Sequence, residues 1–99
     1  MKTAILGLSL LVSTVQGTGQ FKLVTPMAES CGNISDYTQH DAQRGAEIAA
    51  DHDANKVCNG SSTRISEYAF TEKCYQSGPF LSLTNLSVRA VADYECNNK

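Results

Sequence analysis

Apolar positions dominate the start of the chain, where Ala4 to Val12 follow Lys2 and precede the small and polar stretch Ser13 to Gly17. That order matches an export signal, and it is too short to span a bilayer. Cleavage is expected after Gly17 or Gly19, dividing the chain into a signal peptide (1–17), an N-terminal arm or short strand (18–30) and a single disulfide-stabilised domain (31–99). Phe21-Lys22-Leu23-Val24-Thr25 alternates as a short strand would before Pro26 stops it, or it forms a flexible arm. From Ser35 to about Asp53 the spacing changes to three and four, placing Ala42, Gly45, Ala46, Ala49 and Ala50 on one face with Ile48 on its flank. This is the predicted helix. Thr38 followed by Asp41 reads as a variant capping box. After the Asn59-Gly60-Ser61-Ser62 loop, β-type residues take over from Arg64, among them Ile65, Tyr68, Phe70, Leu83, Leu86, Val88 and Val91. Ser77-Gly78-Pro79 and Thr84-Asn85 read as turns that divide this region into about three strands. Val88, Ala90 and Ala92 alternate with Arg89, Val91 and Asp93, the period of a half-buried strand. The predicted class is α+β: one helix packed on a small antiparallel sheet, with two disulfides.

The disulfides follow from the cysteine count. Cys31, Cys58, Cys74 and Cys96 all lie beyond the cut and would meet an oxidising compartment. Four cysteines allow three pairings, of which Cys31 with Cys96 and Cys58 with Cys74 is the expected one. About 80 residues bury only around 60% of their unfolded surface, so covalent constraints matter. Without Lys2, seven basic residues face ten acidic ones. The basic residues are scattered singly, which argues against nucleic-acid or anionic-membrane binding. No cofactor and no metal are expected, since no Cys-x-x-Cys or Cys/His zinc spacing is present. Nor is stable membrane insertion, and the chain is expected to be a monomer.

Candidate chemistry is sparse. His40 and His52 fall on the one predicted helix about 18 Å apart along its axis, too far to share an active centre unless the helix breaks. Asp51-His52-Asp53 reads as a solvated helix end, where a histidine is favoured near the negative pole. No serine sits in a Gly-x-Ser-x-Gly elbow. Glu67, Glu72 and Glu95 read as solvated positions on or beside strands. No catalytic residue is therefore assigned. Asn33, Asn59 and Asn85 open sequons and are candidate glycosylation sites. Tyr75, Phe80 and Tyr94 are the candidate contact residues. Packing is expected to claim most aromatic side chains, leaving Tyr75 beside its turn exposed.

The layout of signal peptide, short mature chain and four cysteines, one just before the end, resembles the small secreted effector proteins of plant-associated fungi. More locally, Cys31-Gly32-Asn33, Tyr37-Thr38, Asp41, Ala46 and Ala49-Ala50 are similar to the opening of the guanyl-specific fungal ribonucleases and ribonuclease-like effectors. A Tyr-Pro-His motif is absent and no histidine follows His52, so this resemblance implies a scaffold without catalysis. The order of elements also permits a killer-toxin-like α/β effector fold. The resemblance in layout implies a secreted, virulence-type glycoprotein without enzymatic activity, binding a host protein or cell-surface component and no nucleic acid. A small secreted ribonuclease-like or other hydrolase is the alternative from another class. A wall-associated or antimicrobial structural protein is the third.

Overall fold

The computed structural model describes residues 13–25 and 30–97; most of the expected signal segment lies outside the described residues. Four strands form one antiparallel sheet: β1 (Thr14–Thr25), β2 (Ser62–Arg64), β3 (Ala69–Ser77) and β4 (Leu83–Cys96). Among the described residues one helix, α1 (Asp36–Cys58), packs across one face, and short 3-10 turns cover Cys31–Asn33 and Pro79–Leu81. The predicted α+β architecture is present. Strand β4 is the spine: β1 pairs along one edge of it, while β3 and β2 pair in succession along the other.

Helix α1 begins at Ser35, whose Oγ accepts the Thr38 backbone N–H at 3.2 Å. The cap is therefore three residues ahead of the predicted Thr38, which sits inside the first turn. The helix also runs past Asp53 to Cys58. Asn59 then turns left-handed at φ 59°, with its own N–H bonded to the Lys56 carbonyl and the Gly60 N–H bonded to that of Asn55. Paired bonds of this kind close the last turn.

Ala42, Ala46, Ala50 and Ala54 form the buried stripe of α1. Side chains this small bring the helix axis close to the sheet, and the sheet answers with glycines. A Cβ on Gly19 would stand 2.1 Å from the Ala50 nitrogen and 2.3 Å from the Ala46 oxygen. Opposite the alanines, Leu86, Val88, Ala90, Ala92 and Tyr94 of β4 are buried, as their period of two requires. Thr84 and Asn85 do not turn. They continue β4, buried, and the connection from β3 lies at Gly78–Ser82 instead.

Two expectations are corrected here. The disulfides join Cys31 to Cys74 and Cys58 to Cys96, with Cα separations of 5.7 and 5.4 Å. Cys74 stands opposite Leu86 on β4, whereas Cys96 lies ten residues further along that strand. That distance is about 33 Å at strand rise, far beyond the roughly 7 Å a disulfide can bridge, so Cys31 beside Cys74 cannot reach Cys96. The part of the expected arm that the structure describes, up to Thr25, is also a long strand. β1 starts at Thr14, and Thr14 to Gly17 supply four of its register pairs, reaching Glu95, Tyr94, Asp93 and Ala92. A cut after Gly17 would fall inside the strand.

Candidate functional site

Three regions carry polar or exposed apolar groups beyond what packing needs. At one end of the sheet Asp51 of α1 accepts hydrogen bonds from the Tyr68 hydroxyl at 2.8 Å and from the Tyr94 hydroxyl, both at Oδ1. Arg64 stacks over the Tyr68 ring at 4.2 Å. Tyr94 is only 2% exposed, so it is a core anchor rather than the contact residue expected. Its place on the helix-facing side of β4 decides this. Burial, followed by the bonded and charged Asp51 carboxylate, pushes the Tyr94 phenol far above its usual range. The same causes raise Tyr68, opposed by Arg64.

The neutral phenol is thus the folded-state form. A raised folded pKa means that its contribution is complete below the unfolded value of about 10 and is lost as pH climbs beyond it. On alkaline titration the Tyr94 phenolate absorbance should arise together with loss of near-ultraviolet circular dichroism, and Tyr94→Phe should remove that component. Full phenolate absorbance from an intact fold near pH 10 would contradict this, since that is where free tyrosines titrate.

The second region is an open groove of about 870 Å³ between α1 and β1, with Phe21, Ile48 and Ala49 in its wall and His52, Asp53 and Lys56 along its rim. Asp53 reaches across to the outer edge of β1, where its Oδ2 accepts the Thr18 N–H at 2.9 Å. A carboxylate in that position blocks part of an otherwise free strand edge. His40 and His52 are both exposed, and α1 runs unbroken between them. They do not meet.

The third region is the sheet face turned away from α1. Alternation along β4 sends its even-numbered side chains to the helix and its odd-numbered ones outward, and the register carries the outward set onto the neighbouring strands. Lys22, Ser87 and Lys73 form one row across β1, β4 and β3; Gln20, Arg89 and Thr71 form the next. Gln20 Nε2 donates to Ser87 Oγ at 3.2 Å, and the Lys22 ammonium lies 5.6 Å from the centre of the Tyr75 ring. Three cations that are far apart in sequence are thereby neighbours. The adjacent Glu72 faces the other way, its carboxylate accepting from Gln39 and Gln43 of α1 at 2.9–3.0 Å.

Beyond Tyr75 the face leads to the β3–β4 hairpin. Phe80 and Leu81 both take positive φ, 58° and 54°, and the Phe80 ring is 102% exposed. Left-handed backbone costs a residue with a side chain about 1–3 kcal/mol, so neighbouring contacts must hold it. Gln76 does this, its Nε2 donating to the carbonyls of Leu81 and Leu83 while its Oε1 accepts from Cys31 N and Thr84 Oγ1. Of the three aromatic contact candidates, Tyr75 and Phe80 are exposed toward this end and Tyr94 is not. Sequence pattern could not single out Phe80, because nothing in one dimension distinguishes a displayed ring from a packed one.

The sequons divide in the same way. Asn33 and Asn59 are exposed. Asn85 is 5% exposed, and its Nδ2, the atom a glycan would occupy, donates to the Tyr75 carbonyl at 3.2 Å and to Ser77 Oγ at 2.7 Å. Among the described residues no helix is long and apolar enough to cross a membrane, and no three His, Cys, Asp or Glu side chains gather as a metal site. Compared with family models, curated proteins and solved structures, the chain matches none.

Proposed function

We propose that this chain is an exported, non-enzymatic effector of a plant-associated fungus that binds a host protein or cell-surface component through the helix-free face of its sheet and the Phe80 hairpin. The resemblance in layout supports the setting. The binding role rests chiefly on one observation: a fully exposed phenylalanine held in strained backbone on the hairpin beyond Tyr75, next to a cation-bearing sheet face that no described element covers. Apolar exposure maintained at the cost of strain has no packing purpose, and aromatic side chains with nearby cations are what contact surfaces use.

Labelled protein should be retained on intact host cells, and Phe80→Gly, which relaxes the left-handed position, should lose most of that retention while keeping both disulfides and its circular dichroism. Equal retention of the variant would remove the hairpin from the reading. Steady hydrolysis of RNA or another polymer by the purified protein, abolished by a folded His52→Ala variant, would replace binding with catalysis.

A further inference from the structure

Resting on the binding reading above, we propose that the helix-free sheet face takes a linear carboxylated polysaccharide of the cell surface, held by Lys22, Lys73 and Arg89. The chain as a whole is acidic, with ten acidic against eight basic residues, yet this half of the face has the opposite sign. Cross-strand register sets Lys22 and Lys73 on the outer strands of one row with Arg89 on the central strand of the next. Two strand spacings separate the lysines, about 10 Å, and Arg89 lies on the diagonal between them.

Local carboxylates do not cancel these charges. Glu72 borders the same face, but its carboxylate is held by Gln39 and Gln43 of α1. Asp93 and Glu95 share the face but stand four and six residues along β4 from Arg89. At about 13 Å or more they lie beyond the roughly 10 Å screening length of 0.1 M salt. The arginine fork matches a carboxylate in two parallel hydrogen bonds. Between the cations lie Gln20, Thr71 and Ser87, side chains that both donate and accept and so suit the hydroxyls of a sugar chain. With Arg89, Lys73 and Glu72 they line a shallow depression of about 250 Å³.

A single-stranded nucleic acid would call for several aromatic platforms. These rows hold none, and Tyr75 in the adjoining row already has an ammonium against its ring. An anionic membrane would need the cations level with the apolar tip. Lys73 instead lies four residues down β3 from Ser77, where the hairpin begins.

Polygalacturonate is the probe, with its fully methyl-esterified form as the uncharged control and polyadenylate as a competitor. Binding to polygalacturonate in low salt should be saturable, absent for the ester, and lost as salt rises. Lys22→Glu, Lys73→Glu and Arg89→Glu together should weaken it by about tenfold or more, since three exposed ion pairs are lost. Arg44→Glu with Lys56→Glu on α1 should leave it unchanged, and both variants are checked for native disulfides and circular dichroism. Equal binding of the ester, an unaffected triple variant, or polyadenylate competing at matched charge would overturn the proposal. Retention on host cells that depends on Phe80 but comes without polygalacturonate affinity would defeat this inference alone. Loss of both would defeat the binding reading as well.

Discussion

Reduction without denaturant should unfold this protein. The buried stripe of α1 is made of alanines, and the largest fully buried side chains are Tyr94, Val88 and Thr84. An interior of that size gives a small domain little margin. The bridges close spans of 43 and 38 residues. On the chain-entropy account each removes about 4 kcal/mol of unfolded-state freedom, and the two together rival the 5–15 kcal/mol stability of a typical domain. Cys58→Ser with Cys96→Ser, which frees the end of the helix from the last strand, should lower the melting temperature by tens of degrees, since about 1 kcal/mol moves a domain of this size by 4–8 °C. The measurement is circular dichroism with and without a thiol reductant. A reduced sample that melts within a few degrees of the oxidised one would show that the apolar interior suffices.

Gly19→Ala should be the most damaging exchange outside the cysteines. The new methyl would meet the Ala50 nitrogen, the Ala46 oxygen and the Ala49 carbonyl carbon at 2.1–2.6 Å, all of them backbone atoms of one helix. Backbone cannot rotate aside as a side chain does, so α1 must lift from β1 along its length. Overpacking costs about 1–3 kcal/mol and occasionally more, and a clash confined to main chain belongs at the upper end. Gly32→Ala is the matched control. Nothing lies within 4 Å of the Cβ it would add, and open surface positions stay within about 0.5 kcal/mol. Urea titration of both variants gives the comparison. Similar midpoints for Gly19→Ala and wild type would mean that the helix–strand approach is looser than described.

The helix was legible because its alanines recur at the spacing of one face and require no partner to be recognised. Its ends were less so. Ser35 and Thr38 are both acceptable caps in sequence, and only their hydrogen bond, Thr38 N–H to Ser35 Oγ, assigns the roles. Strand β4 showed its period of two around Val88, yet polar Thr84 and Asn85 concealed its beginning. They are satisfied by Gln76, Ser77 and the Tyr75 carbonyl, partners supplied by pairing with β3. β1 was hidden by overlap, since its first residues fit the end of an export signal equally well. Disulfide pairing and the gathering of Lys22, Lys73 and Arg89 both depend on register, a relation between distant segments that no local pattern carries.

Both covalent loops begin at or after Cys31, so β1 lies outside them and is secured by its ladder to β4 and its glycine contacts with α1. A peptidase needs its target bond extended and accessible, whereas Gly17 in the finished fold is sealed beneath the Ala50 carbonyl and the Tyr94 ring. On the export reading proposed above, a cut at that bond would have to be made while the first strand is still unzipped, making leader removal a race against its docking rather than a trimming of the completed protein.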